Sequence, residues 1–143
     1  MDEKTIFLAF DYGTRNIGVA VGQKITKSAT VLAPLLAKNA VPPWEEIDKL
    51  VKNWQPEALV VGVPYQINGS DLKVTPLAKN FIVELKKRYQ LPVYAAEERL
   101  TTKAAREKIF ERGGYKALQN ESVDSLAAKL ILEEWLGSRQ RHK

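Results

Sequence analysis

The sequence predicts an α/β fold in which helices flank a mixed five-stranded sheet. Two observations predict this class. The N-terminal third contains three consecutive strand-like runs with short links, which is typical of an antiparallel meander. Two later apolar runs alternate with helical patterns, so right-handed crossovers should set them parallel to the first strand. A chain of 143 residues, 45% hydrophobic and 27% charged, fits a single domain.

The first three predicted strands make up the meander. Residues 6–10 are a continuous apolar run that stops at Asp11, as a buried central strand does. Residues 17–21 form a second apolar run, close enough to the first to pair with it antiparallel. Residues 30–36 give a third, weaker strand.

The rest of the chain switches between helical and strand periodicity. A proline at the first helical turn, a hydroxyl cap before a helix and glycines after one mark the boundaries. The predicted elements are a helix from Pro43 to Pro56, a strand over 59–63, a helix from a Thr75 cap to Tyr89, a strand over 93–96, a helix from Thr101 or Thr102 to Arg112, and a helix from a Ser122 cap to about Leu136. We expect one domain over residues 1–137 and a basic, disordered tail over residues 138–143.

Composition restricts the chemistry that this chain can perform. The absence of cysteine excludes disulfides, zinc–thiolate sites and thiol nucleophiles, and the single histidine, His142, argues against a Ser-His-Asp triad. The net charge of +5 is mild. The sequence has no signal peptide and no apolar run approaching about 20 residues, so we expect a cytoplasmic protein with no membrane partner.

Carboxylates occur where the predicted sheet would form a site. Asp11 ends the first strand, Glu97 and Glu98 follow the fifth, and Asp124 falls in the first turn of the last helix. Sites in open sheets form at the carboxyl ends of the strands. Converging carboxylates repel one another unless a cation lies between them, and Mg²⁺ or Mn²⁺ in a two-metal site would hydrolyse a phosphodiester. Turn, dipole and surface roles are the structural alternatives for these residues.

Four segments, in order and over nearly the whole chain, resemble the motifs of the YqgF family. This family is a bacterial branch of the ribonuclease-H-like fold and is related to Holliday-junction resolvases. The matching segments are 10–22, 60–64 with 68–70, 97–102, and 123–128 with 131–132. Glu97 departs from the family pattern, which usually has aspartate there, and this leaves the role of position 97 open.

The resemblance implies both a site and an activity. It implies that Asp11, Glu98 and Asp124 form a metal-binding catalytic triad for Mg²⁺ or Mn²⁺. It further implies a nuclease that matures the 5′ end of pre-16S ribosomal RNA during ribosome biogenesis. Cleavage of four-way DNA junctions is the alternative, because fold does not decide substrate.

Basic residues near these carboxylates are candidates for nucleic-acid contact. Arg15 lies in the turn after the first strand, and Arg99, Lys103 and Arg106 follow the third motif. Their guanidinium and ammonium groups suit phosphate oxygens, although a solvated turn and a solvated helix face are the competing interpretations. We expect three tryptophans, Trp44, Trp54 and Trp135, to be core residues rather than stacking platforms.

Two other classes share parts of this pattern. Sugar kinases and actin-like ATPases also begin with Asp-x-Gly-Thr, here Asp11 to Thr14, but they need a second domain for which 143 residues leave no room. A non-catalytic nucleic-acid-binding factor would keep the fold without the activity, and the intact carboxylates argue against it. No dimer seam is visible, so we expect a monomer or a weak dimer.

Overall fold

The computed structural model describes residues 5–66, 68–99 and 123–141. Its elements in chain order are β1 (Ile6–Asp11), β2 (Asn16–Gln23), β3 (Ala29–Leu36), α1 (Trp44–Trp54), β4 (Ala58–Tyr65), α2 (Thr75–Tyr89), β5 (Val93–Arg99) and α3 (Val123–Arg141). The strands form one sheet in the order β3-β2-β1-β4-β5. β2 is antiparallel to β1 and β3, whereas β4 is parallel to β1 and β5. The predicted mixed five-stranded sheet is confirmed.

Strand periodicity divides the interior into two layers. Leu8 and Phe10 of β1 point to one face, where they pack with side chains of α1 and α2. Phe7 and Ala9 point to the other face and pack against α3. Side chains along β1 therefore alternate between the layer formed by α1 and α2 and the layer formed by α3.

The last helix covers the second face and is anchored near its first turn. Buried Ser125 donates a hydrogen bond from Oγ to the Leu32 carbonyl (2.8 Å) and accepts one from the Val19 N–H (3.3 Å). Farther along the helix, Glu133 accepts a hydrogen bond from the Ala29 N–H (3.1 Å). These bonds fix α3 across β2 and β3.

Two details of these elements differ from the sequence prediction. β5 extends to Arg99, so Glu97 and Glu98 lie within the strand because parallel pairing with β4 continues that far. The Thr75 hydroxyl does not cap α2; it accepts a hydrogen bond from Leu72 N–H and donates one to the Pro64 carbonyl, which ties α2 to the end of β4. The helix predicted near residues 101–112 lies outside the described residues.

The C-terminal boundary also differs. α3 continues to Arg141 rather than ending at about Leu136, so it includes residues 138–141 of the tail expected to be disordered. The division into one domain and a tail stays a prediction. In the described part of the chain, no helix is both long and apolar enough to cross a membrane.

The three tryptophans have different environments. Trp44 packs on Phe81 with ring centroids 5.8 Å apart, and Trp135 packs on Phe7 at 5.3 Å. Trp54 lies in the last turn of α1 and is 37% exposed. The prediction of a core tryptophan is therefore wrong for Trp54, which is not among the side chains that pack against the core.

Candidate active site

Asp11 ends the central strand on the face that α3 covers. It is half-buried, and it is in phase with Phe7 and Ala9 along β1. Its backbone pairs with Gly18 on one side and with Gly62 on the other. Pairing on both sides holds the Asp11 carboxylate at a defined point of the sheet rim.

Gly62 makes room for both Asp11 and α3. A Cβ at position 62 would lie 3.8 Å from Asp11 Oδ1 and would overlap Cδ1 of Ile131, a residue of α3 that is 2% exposed. The missing side chain therefore lets α3 lie directly on β4 beside the Asp11 carboxylate.

Glu98 lies on the same face as Asp11, two strands away. It is in phase with Tyr94 and Ala96, which pack in the α3 layer, and it is paired with Pro64. Asp11 pairs with Gly62 and Gly62 pairs with Ala96, so Asp11 and Ala96 lie at the same height in the sheet. Glu98 is two residues farther toward the rim. Strand spacing and rise put the Cα atoms of Asp11 and Glu98 roughly 12 Å apart. The two carboxylates thus share one face and one rim.

The surroundings of Glu98 disfavour its negative charge. Burial, followed by the nearby Glu134 carboxylate on α3, raises the pKa of Glu98 from 4.5 to about 7. A cation bound between carboxylates would favour the ionised form instead. In this environment the charge of Glu98 depends on what binds beside it.

The backbone brings Asp124 to the same rim. Residue 124 lies in the first turn of α3, four positions before Ala128 and seven before Ile131, and both of these pack on the sheet. The neighbouring Ser125 bonds to Val19, which is paired with Phe10 in β1. The side chain of Asp124 is outside the described part of the chain.

Of the other predicted site residues, only Glu97 and Arg15 have side chains in the described part of the chain. Glu97 is exposed, and strand alternation puts it on the opposite face from Glu98. Arg15 is exposed in the turn between β1 and β2. Arg99 ends β5, but its side chain is outside the described part, as are Lys103 and Arg106 entirely.

The donor set is of the kind that hard divalent cations bind. Among the described side chains, no three histidine, cysteine or carboxylate residues gather closely enough to hold a metal ion. Asp11 and Glu98 nevertheless provide carboxylate oxygens on one face, with Asp124 as the third predicted ligand, and Mg²⁺ and Mn²⁺ prefer such ligands. The residues present fit the predicted metal.

Sequence reasoning missed two features of this site. It did not identify Glu134, because nothing local relates a residue of α3 to one of β5. It also gave Gly62 no packing role within the strand predicted over 59–63, although an isolated glycine in an apolar strand is a signal for close packing.

Two solved structures with a similar fold are junction resolvases. The chain superposes on RuvC of Thermus thermophilus, solved with a Holliday junction substrate, with a TM-score of 0.54 at 15% identity over 95% of this chain and 96% of that one. It superposes on the fowlpox virus Holliday junction resolvase with a TM-score of 0.55 at 15% identity over 94% and 99% of the two chains. The fold is thus the ribonuclease-H-like fold of RuvC-type resolvases.

Sequence similarity narrows the class to one family. The RuvX family model, described as Holliday junction resolvase, matches residues 5–138. A protein of Actinobacillus pleuropneumoniae serotype 5b is 52% identical over 128 residues, 90% of this chain and 93% of that protein. One of Haemophilus ducreyi is 48% identical over 131 residues, 92% and 95% of the two chains. Both are named "Putative pre-16S rRNA nuclease". This chain belongs to the RuvX family, also called YqgF, and the resemblance drawn from its motifs is confirmed.

Proposed function

We propose that this protein is a divalent-metal-dependent nuclease that matures the 5′ end of precursor 16S ribosomal RNA in the cytoplasm. The observation that carries the proposal is the position of Asp11 and Glu98 on one face at one rim of the sheet, beside the first turn of α3. The name of relatives about half identical over nine-tenths of both chains supports the same substrate.

Asp11, Glu98 and Asp124 are the residues that would hold Mg²⁺ or Mn²⁺. When bound, such ions activate water at neutral pH and stabilise the leaving oxygen of a phosphodiester. The protein contributes position: β1 pairing holds Asp11, pairing to β4 holds Glu98, and the Ser125 bonds hold the first turn of α3. Once Glu98 is ionised, its partial burial strengthens its attraction for a cation, because the surrounding protein screens the charge less than water does.

Basic residues close to the carboxylates in the sequence would orient the RNA. We assign phosphate contacts to Arg15, Arg99, Lys103 and Arg106, because arginine and lysine suit phosphate oxygens and these residues adjoin the carboxylates along the chain. The Arg15 side chain is exposed in the β1–β2 turn, four residues after Asp11. RNA bound there would pass the carboxylate rim.

A Holliday-junction resolvase is the second candidate function, because it is the description of the matching family. One experiment separates the two. Purified protein is incubated with a precursor 16S rRNA fragment and with a four-way DNA junction, each with Mg²⁺ or Mn²⁺. Cleavage of the RNA alone supports the first function, and cleavage of the junction alone supports the second.

Variants of the carboxylates test the site in the same assay. Asp11→Asn, Glu98→Gln and Asp124→Asn should each abolish cleavage and leave the thermal melt similar or slightly higher, because each relieves repulsion in the metal-free protein. Glu97→Gln is the matched control, since Glu97 neighbours Glu98 but lies on the other face. Wild-type cleavage by a variant would remove that residue from the site, and equal loss in the control would refute the assignment by face.

A further inference from the structure

The chain segment that contains β2 and β3 carries positive charge and no acidic residue of its own. Between Tyr12 and Trp44 the sequence contains Arg15, Lys24, Lys27 and Lys38 but no aspartate or glutamate. Because β2 runs antiparallel to β1, Arg15 and Lys38 fall at the rim of Asp11, whereas Lys24 and Lys27 fall at the opposite rim. The chain therefore offers two cation pairs of equal charge at the two ends of the same strands.

Lys38 begins a tight turn that is hydrogen-bonded to the residue following Asp11. Lys38 and Val41 exchange two backbone hydrogen bonds of 3.1 and 2.8 Å. The two residues between them, Asn39 and Ala40, have φ angles of 52° and 64°, as a two-residue hairpin turn requires. The Tyr12 hydroxyl donates a hydrogen bond to the Ala40 carbonyl (3.1 Å). The turn is thus held by the residue that directly follows Asp11.

Arg15 and Lys38 lie side by side along this rim. The Ala37 N–H donates a hydrogen bond of 2.8 Å to the Arg15 carbonyl, so the backbone next to Lys38 touches that of Arg15. Both side chains are exposed, and within the described part of the chain neither side chain forms an ion pair or a hydrogen bond. Two adjacent cations that form no ion pair with the described residues attract an anion.

We propose that Arg15 and Lys38 form a phosphate-binding surface that holds the RNA backbone where it approaches Asp11 from the β3 side. This inference rests on the proposed nuclease function. An RNA strand suits this arrangement because it carries a phosphate at every nucleotide. Flanking phosphates can bind Arg15 and Lys38 while the phosphate to be cleaved lies at the carboxylate rim. Leu36 and Val41 flank the turn with 70% and 57% exposure, which gives sugars and bases an apolar surface to pack on.

The test measures RNA binding without divalent metal. A labelled single-stranded RNA that spans the precursor 5′ end is titrated in EDTA at 50 to 200 mM salt with wild type, Lys38→Ala and the double variant Arg15→Ala/Lys38→Ala. For a single strand, each phosphate contact adds about 0.7 to the slope of log affinity against log salt concentration. The fourfold increase in salt should therefore reduce the RNA affinity of wild type by a factor about 2.6 times larger than for Lys38→Ala. For the double variant the factor should be about sevenfold.

The opposite rim provides the matched control. Lys24→Ala/Lys27→Ala removes the same charge from the turn at the opposite ends of β2 and β3, and its salt slope should equal that of wild type. Equal slopes for the two double variants would show an effect of net charge alone and would overturn the proposal. A wild-type slope for Lys38→Ala, or a changed slope with a four-way DNA junction only, would also overturn it.

Tyr12→Phe tests the hydrogen bond that holds the turn. Tyr12→Phe should bind the RNA more weakly than wild type. Lys38→Ala should then reduce RNA affinity less in the Tyr12→Phe background than in the wild-type background. If the two substitutions reduce RNA affinity additively, the hydrogen bond has no role in placing Lys38. Thermal melts confirm that each variant is folded. Binding is measured without metal, so the two proposals can fail separately. If wild type binds the RNA as expected but does not cleave it, only the proposed nuclease function is refuted. If wild type cleaves the RNA but the Arg15 and Lys38 variants keep its salt slope, only the proposed phosphate-binding surface is refuted.

Discussion

Replacing Gly62 by alanine tests the close contact between β4 and α3 beside Asp11. The new Cβ would overlap Cδ1 of Ile131 and lie 3.4 Å from its Cγ1. Ile131 is fully enclosed in the α3 layer, so its side chain cannot turn away into solvent. Overpacking of a close-packed interior costs about 1–3 kcal/mol.

This cost is large enough to measure. For a domain of this size, each kcal/mol lowers the midpoint of thermal unfolding by about 3–4 °C, so Gly62→Ala should unfold roughly 3–12 °C lower. The displaced α3 would also carry Asp124 away from Asp11. We therefore expect cleavage to fall at temperatures where Gly62→Ala is still fully folded.

Two further variants make this prediction specific. Ile131→Val deletes the overlapping Cδ1 atom, so the double variant Gly62→Ala/Ile131→Val should recover about 0.5–3 kcal/mol relative to the sum of the single changes. Gly137→Ala is the control within α3, since a Cβ there meets nothing within 4 Å, and it should stabilise the helix by about 0.5–1 kcal/mol. Unchanged stability of Gly62→Ala, or strict additivity with Ile131→Val, would refute the packing argument.

Two other predictions concern Glu98 and Ser125. The pKa of Glu98 is raised to about 7, so in metal-free buffer its contribution to stability is complete below about pH 4.5 and is lost as the pH rises through 7. Denaturant titrations should therefore show wild type losing up to about 3 kcal/mol more than Glu98→Gln between pH 4.5 and 7.5, and parallel curves would contradict this. Ser125→Ala leaves the Val19 N–H and the Leu32 carbonyl without the hydroxyl and should cost about 1–3 kcal/mol, with reduced cleavage, whereas Ser138→Ala in the same helix should match wild type in both assays.

The amino-acid sequence was sufficient to predict the architecture because a local sequence pattern marks each strand. Strands β1 to β4 begin and end within a few residues of their predicted limits, since apolar runs bounded by turn residues fix strand limits without distant contacts. β5 was too short in the prediction because pairing with β4 carries it through Glu97 and Glu98. The two ends of α3 show the same split: its start was predicted closely, whereas its extension to Arg141 was not.

The carboxylates at the strand ends were visible in the sequence, but their arrangement was not. Which face Asp11 and Glu98 share depends on the register of β1, β4 and β5, and register is set by pairing between residues far apart along the chain. The same holds for the fit of Ile131 over Gly62 and for the bond from Tyr12 to Ala40. The sequence by itself determined which chemical groups reach the rim, and only tertiary packing decided which of them face one another, because local patterns carry no information about contacts across the sheet.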